Sequence, residues 1–108
     1  MNSIKEKVLY RVNVIASQPE VGERFYQWML EEHGDDLLKI PGCIECRVYR
    51  KSPVEFENHY IFESQEMLQD YYKQYADTLR AKAKVKFVDG ELQFQRDEAL
   101  LVAEGNSL

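Results

Sequence analysis

Early in this chain the apolar pattern changes period once, from alternation to helical spacing at Ala16–Ser17. That switch constrains the fold more than any other feature. From Val8 to Ala16 the residues alternate. Val8, Tyr10, Val12 and Val14 form one apolar face, while Leu9, Arg11, Asn13 and Ile15 turn the other way. This reads as a strand whose second face is neither plainly wet nor plainly core. Ser17-Gln18-Pro19-Glu20 then has the form of a capping box, with Ser at the N-cap, proline in the first turn and Glu able to reach back to the cap. Val21, Phe25, Trp28 and Met29 recur at helical spacing, with Tyr26, Leu30 and Leu37 widening the stripe. At about 100° per residue, His33 projects between Met29 and Leu30, inside the apolar arc. The pattern predicts a helix from roughly Gln18 to His33, stopped by Gly34, with an extra turn over Asp35 to Lys39. Glu31, Glu32, Asp35 and Asp36 crowd its C-terminal end, where the helix dipole disfavours acids, and read as a solvated turn with Arg47 or Arg50 as a basic neighbour.

Pro41-Gly42 leads into a second strand, Cys43 to Lys51. On it Ile44, Cys46 and Val48 share one face and Glu45, Arg47 and Tyr49 the other. Ser52 to Phe56 is a loop marked by Pro53. Glu57 to Glu63 is a third strand with two open facings: Tyr60 and Phe62 inward, or His59, Ile61 and Glu63 inward. Ser64 caps a long second helix, about Gln65 to Val85, carrying the stripe Leu68, Tyr71, Tyr72, Tyr75 and Leu79. Lys82, Lys84 and Lys86 suit its C-terminal dipole. Asp89-Gly90 is a turn, and Glu91 to Val102 is a last strand. Its continuous apolar run, Ala99 to Ala103, predicts a second half covered on both faces. Residues 1–6 and 104–108 read as flexible ends.

The order β-α-β-β-α-β is the ferredoxin-like arrangement, an α+β fold in which an antiparallel sheet carries both helices on one face. The 108 residues give one domain, enough for a small core. A net charge of -5 argues against a nucleic-acid partner. No apolar run approaches the length of a membrane span, and Met1 to Lys7 is too polar for a signal peptide, so a soluble cytoplasmic protein is expected. Leu9, Arg11, Asn13, Ile15, Arg47 and Tyr49 fall on the uncovered side of the sheet. That side holds too much apolar area to stay wet, so two copies are expected to stack sheet against sheet, with Leu9, Arg11 and Ile15 in the dimer interface.

His33 is the natural proton-handling residue, because an imidazole titrates near neutral pH. The plainer reading is a core-edge histidine bonded to a carbonyl. Arg47 or Arg11 would hold an anionic oxygen, and Tyr49 or Tyr60 would donate a hydrogen bond. Alternatively Arg11, Asn13, Arg47 and Tyr49 serve as cross-strand pairs that fix dimer register. Cys43-Ile44-Glu45-Cys46 is a C-x-x-C. It enters a strand, where positions three apart face opposite ways, and it lacks the further ligands of a structural zinc site. Cys46 is expected to pack as a small hydrophobe, and the pair leaves a zinc- or thiol-linked protein as a further alternative.

Tyr10 to Val14, Trp28-Met29 with His33, Gly42-Cys43, Phe62-Glu63-Ser64, and Tyr75-Ala76 with Leu79-Arg80 stand in an order that resembles the dimeric α+β barrel superfamily. Within it, the chain is most similar to a short family described only as a domain of unknown function. The resemblance spans nearly the whole chain. It implies a homodimer with a cleft between sheet and helices, and no known reaction. Related families include haem-degrading monooxygenases, cofactor-independent quinol oxygenases, muconolactone-type isomerases and small-molecule sensors. The haem-degrading mode needs an Asn on the first strand, a Trp on the third and a His in the second helix. Asn13 fits, but Trp28 sits on the first helix and the second helix has no His, so neither cofactor nor metal is expected. The reading is thus a homodimer that binds a small organic molecule through Asn13, Trp28, Arg47, Tyr49 and Tyr60. Its alternative is a cofactor-independent monooxygenase or isomerase using His33.

Overall fold

The computed structural model describes residues 6–102. The rest of the predicted flexible ends, and Ala103 of the apolar run, lie outside that range. Strand β1 (Val8–Ala16) is followed by helix α1 (Pro19–Trp28), a π turn (Met29–His33) and helix α2 (Gly34–Leu38). Strands β2 (Cys43–Ser52) and β3 (Glu55–Phe62) form a hairpin. Helices α3 (Gln65–Gln74) and α4 (Ala76–Lys86) precede β4 (Leu92–Leu100). The sheet is antiparallel throughout in the order β2-β3-β1-β4, the ferredoxin-like topology expected from the sequence. Among the described residues no helix is long and apolar enough to cross a membrane.

Strand periodicity decides which side of the sheet the helices cover. Val8, Tyr10, Val12 and Val14 of β1 are buried, as their alternation predicts. On β3 the open choice resolves in favour of Phe56, Asn58, Tyr60 and Phe62, all buried. These pack against Phe25, Trp28, Leu68, Tyr71 and Leu79 from the helices. The opposite face carries Leu9, Arg11, Asn13, Ile15, Arg47 and Tyr49, as expected, and the resolved facing of β3 adds His59 and Ile61 to it. It is more polar than expected, and its charges are largely satisfied within the chain. Arg11 grips Asp97 with two hydrogen bonds of 2.9 and 2.6 Å, Asn13 donates to Glu55, and His59 lies between Tyr49 and Glu57.

Several local expectations are corrected. The N-cap of α1 is Gln18, not Ser17, and it makes no side-chain cap bond. Ser17 instead donates its N–H to the Glu91 carbonyl, tying the start of α1 to the turn before β4. Gly34 does not stop the helix; its backbone is helical, and the chain runs on to Leu38. The left-handed glycines are Gly42, at φ +90°, and Gly90, at φ +87°. The second helix caps on Ser64, whose hydroxyl accepts from the Met67 N–H at 3.2 Å, but it breaks at Tyr75. The break re-aims the stripe, so that Ala76 and Leu79 are buried while Tyr72 and Tyr75 move to the flank. The acidic turn finds lysines, not arginines: Asp36 pairs with Lys82 at 3.2 Å and Glu32 with Lys86 at 3.9 Å. Arg47 pairs with Glu45 and Arg50 with Glu23. Finally, β4 is an edge strand hydrogen-bonded to β1 alone. Ala99, Leu100 and Val102 are exposed, so the run that predicted two covered faces is uncovered within one chain.

A bulge decides the cysteines. The register of β2 shifts between Cys43 and Glu45. Simple alternation would put Cys43 and Cys46 on opposite faces and Ile44 with Cys46. The shift instead turns both thiols toward the helices and leaves Ile44 exposed. Burial pushes each thiol up to about 11, so both stay protonated at neutral pH and pack as small apolar groups.

Candidate functional site

The cavity between sheet and helices grows out of the π turn. In a regular α-helix, residues five apart point about 140° away from each other. Here the Gly34 N–H bonds back to the Met29 carbonyl, five residues earlier, and one residue is squeezed into the turn. A Cβ at position 34 would lie 2.9 Å from that carbonyl oxygen, so glycine is what lets the turn widen. The extra residue swings His33 round onto Trp28. The two rings stack with centroids 4.3 Å apart and 17° between planes. Their shared slab closes one wall of the cavity, with Phe25 and Phe87 set against Trp28.

The cavity has a volume of about 330 Å³, within the range of small-molecule sites. Its floor is the buried face of β1 and β3, where Tyr10, Asn58 and Tyr60 sit. Its roof is α3 and α4, and its mouth lies at α4, the turn at Asp89-Gly90 and β4. Aromatic rings supply a large part of the wall. Tyr10 packs on Tyr60 and Tyr71 at 5.8 Å, and edge-on to Tyr72 at 5.6 Å. Burial pushes Tyr71 up to about 12 and Tyr60 well above the usual phenol range, so both remain hydrogen-bond donors at neutral pH. Tyr72 is raised as well, by burial and by its 2.6 Å hydrogen bond to Glu98.

Polar atoms are few and specific. Asn58 is only 2 % exposed. Its amide donates to the Tyr60 hydroxyl at 3.0 Å and approaches the Met29 sulfur at 3.6 Å. Its Oδ1 has no hydrogen-bond partner among the described residues, and neither has Trp28 Nε1 or His33 Nδ1. A buried polar atom left unpaired costs about 1–3 kcal/mol, so three on the lining of one cavity mark it as different from ordinary core. Burial is the first cause of the His33 shift, and the imidazole is lowered to about 4. Asp36 opposes that shift and Lys82 adds to it. At neutral pH His33 is therefore an uncharged hydrogen-bonding group.

The structure gathers three of the expected site residues, Trp28, His33 and Tyr60, in this cavity. Asn13, Arg47 and Tyr49 lie on the opposite side of the sheet, with Leu9, Arg11 and Ile15, so one imagined cleft divides into two surfaces. Sequence reasoning missed Tyr10, Asn58, Arg80 and Arg96. Asn58 did leave a signal, as the one polar member of the alternating set Phe56, Asn58, Tyr60, Phe62.

Among the described residues, no three His, Cys, Asp or Glu side chains are grouped to hold a metal. Residues 7–98 match the family described as Domain of unknown function (DUF4286). The chain belongs to this family. No curated protein matches it. Solved structures of similar fold include a dimeric ferredoxin-like protein from an uncultured marine organism. It is 16% identical, covers 94% of this chain and 100% of its own, and has a TM-score of 0.76. SnoaB, a cofactor-independent oxygenase from Streptomyces nogalater, is 12% identical over 94% of this chain and 97% of its own, at a TM-score of 0.61. A monooxygenase from Streptomyces coelicolor in complex with the ligand nanaomycin D is 9% identical over 95% and 92%, at 0.64. These likenesses show the ferredoxin-like fold for the DUF4286 chain and no more than the fold.

Proposed function

We propose that this DUF4286 protein is a soluble, cytoplasmic homodimer that binds a flat organic molecule in the cavity between sheet and helices. One observation carries the reading: Trp28, His33 and Asn58 each hold a buried polar atom without a partner, and all three line one aromatic-walled cavity of about 330 Å³. Aromatic walls favour a planar ligand, and the few polar atoms would orient it. On the bare face, Arg11 and Asn13 already have partners within the chain, which lowers the cost of covering Leu9, Ile15, Ile61 and Tyr49 with a second copy.

Catalysis is the second reading, supported by the Asn58–Tyr60 pair, which presents an amide and a phenol side by side on the floor. In that reading His33 orients the substrate. A general base works best with a pKa near the operating pH, and burial holds His33 near 4.

Native mass spectrometry of the purified protein tests the binding reading. The expected result is twice the 12.8 kDa chain mass with a small organic mass retained, and loss of that mass in Ala83→Trp, which fills the cavity. A monomer would contradict the dimer, and a retained mass unmoved by Ala83→Trp would contradict the cavity.

A further inference from the structure

The cavity mouth carries charge that the rest of the molecule does not explain. The chain has 19 acidic side chains against 14 Lys and Arg, so carboxylate partners are in excess. Four arginines find them: Arg11 with Asp97, Arg24 with Glu91, Arg47 with Glu45 and Arg50 with Glu23. The other two, Arg80 on α4 and Arg96 on β4, have no salt-bridge partner among the described residues, and both line the cavity. Lys84, one turn beyond Arg80, lines it too and is likewise unpaired among the described residues. Asp89 is the single acid on the lining, and it forms no salt bridge with any of the three. Arg96 is held in place by its own strand, its guanidinium lying 4.8 Å from the Phe94 ring centroid. Arg80 lies beside the Tyr10 hydroxyl, and both guanidinium groups act on the Tyr71 phenol.

Resting on the binding reading above, we propose that the ligand is a flat organic anion. Its ring system lies among the aromatic walls, and its carboxylate or sulfonate sits at the mouth between Arg80 and Arg96. A guanidinium matches a planar oxyanion with two parallel hydrogen bonds, which a solvated lysine cannot do. The floor supplies the second fixed point, because Asn58, 2 % exposed, keeps an unpartnered Oδ1 at the inner end. An oxyanion at the mouth and a hydrogen-bond donor at the far end of the ring system define the ligand class. The local field agrees: a cationic rim on a protein of net charge -5 draws anions to one place.

Anilinonaphthalene sulfonate and phenylnaphthylamine test this, because they share an aromatic frame and differ in the sulfonate. Titrated against the full chain, the sulfonate is expected to bind about tenfold tighter, the size of a charge-assisted hydrogen-bond contribution. The Arg80→Gln, Arg96→Gln double variant is expected to bring the two probes to near-equal affinity, leaving the neutral probe unchanged. Both arginines are exposed, so the fold should survive; if the double variant melts early, the two single variants carry the comparison. Equal affinity of both probes for the unmodified protein would overturn the anion and leave the cavity reading standing. A sulfonate advantage that survives the substitutions would overturn the arginine assignment. Failure of both probes to bind would overturn the cavity reading and the anion with it.

Discussion

Lowering the pH from 7 to 4 is expected to remove about 3 kcal/mol of stability through His33 alone, from the difference between its usual value of 6.5 and its folded value of about 4. The sign follows from which form the fold tolerates. Burial against Trp28 disfavours the imidazolium, so the folded protein takes up this proton only near pH 4. The unfolded chain takes it up near 6.5. Between those values the unfolded state binds more protons, and stability falls as pH falls; above 6.5 the contribution is constant. His33→Gln keeps a polar group and loses the titration. Urea unfolding of both proteins at pH 7 and pH 4 isolates the effect, because the carboxylates are common to both. The expected result is a steep loss for the parent and a smaller one for His33→Gln. Parallel losses would show that His33 titrates normally and is not enclosed as described.

Gly22→Ala is expected to destabilise the protein by about 2 kcal/mol, although alanine is the better helix former by about 1 kcal/mol. Gly22 is buried on α1, and a Cβ there would run into the Pro53 carbonyl oxygen, with the Pro53 carbonyl carbon at 3.2 Å and the Phe56 ring at 3.5 Å. The first two are backbone atoms of the β2–β3 turn, which the Ala16 N–H to Val54 carbonyl bond (2.7 Å) ties to β1. Neither side yields cheaply, so α1 must lift. That helix carries Phe25 and Trp28, so the same substitution should also loosen the cavity wall. The urea midpoint reads the stability. An unchanged or raised midpoint would show that α1 does not sit as close to the hairpin as described.

The fold was largely legible because it rests on periodicity. β1 alternates without interruption, and both helices carry stripes, so element order and the covered face of β1 follow from spacing alone. Trp28 and His33 were visible as an aromatic and an imidazole on one apolar arc, and Tyr60 as a strand aromatic. What spacing could not show is where the period slips. The π turn at Gly34 inserts a residue that rotates His33 onto Trp28, and the bulge at Cys43–Glu45 sends both thiols to one face. Each is a hydrogen-bond shift of one residue, set by tertiary packing. Arg80 and Arg96 were invisible for another reason. On a helix and an edge strand they look like any solvated cation, and only the sheet order β2-β3-β1-β4 brings β4 beside the cavity floor and α4.

The cavity can be tested most directly through Trp28, the single tryptophan of the chain, which stands in its wall. Titration with neutral phenylnaphthylamine, followed by Trp28 emission, reports occupation of that space without invoking charge. The expected result is saturable quenching of Trp28 with energy transfer to the probe, at one probe per chain. Probe binding that leaves Trp28 emission unchanged, or no saturable binding at all, would contradict a ligand site between the sheet and the helices.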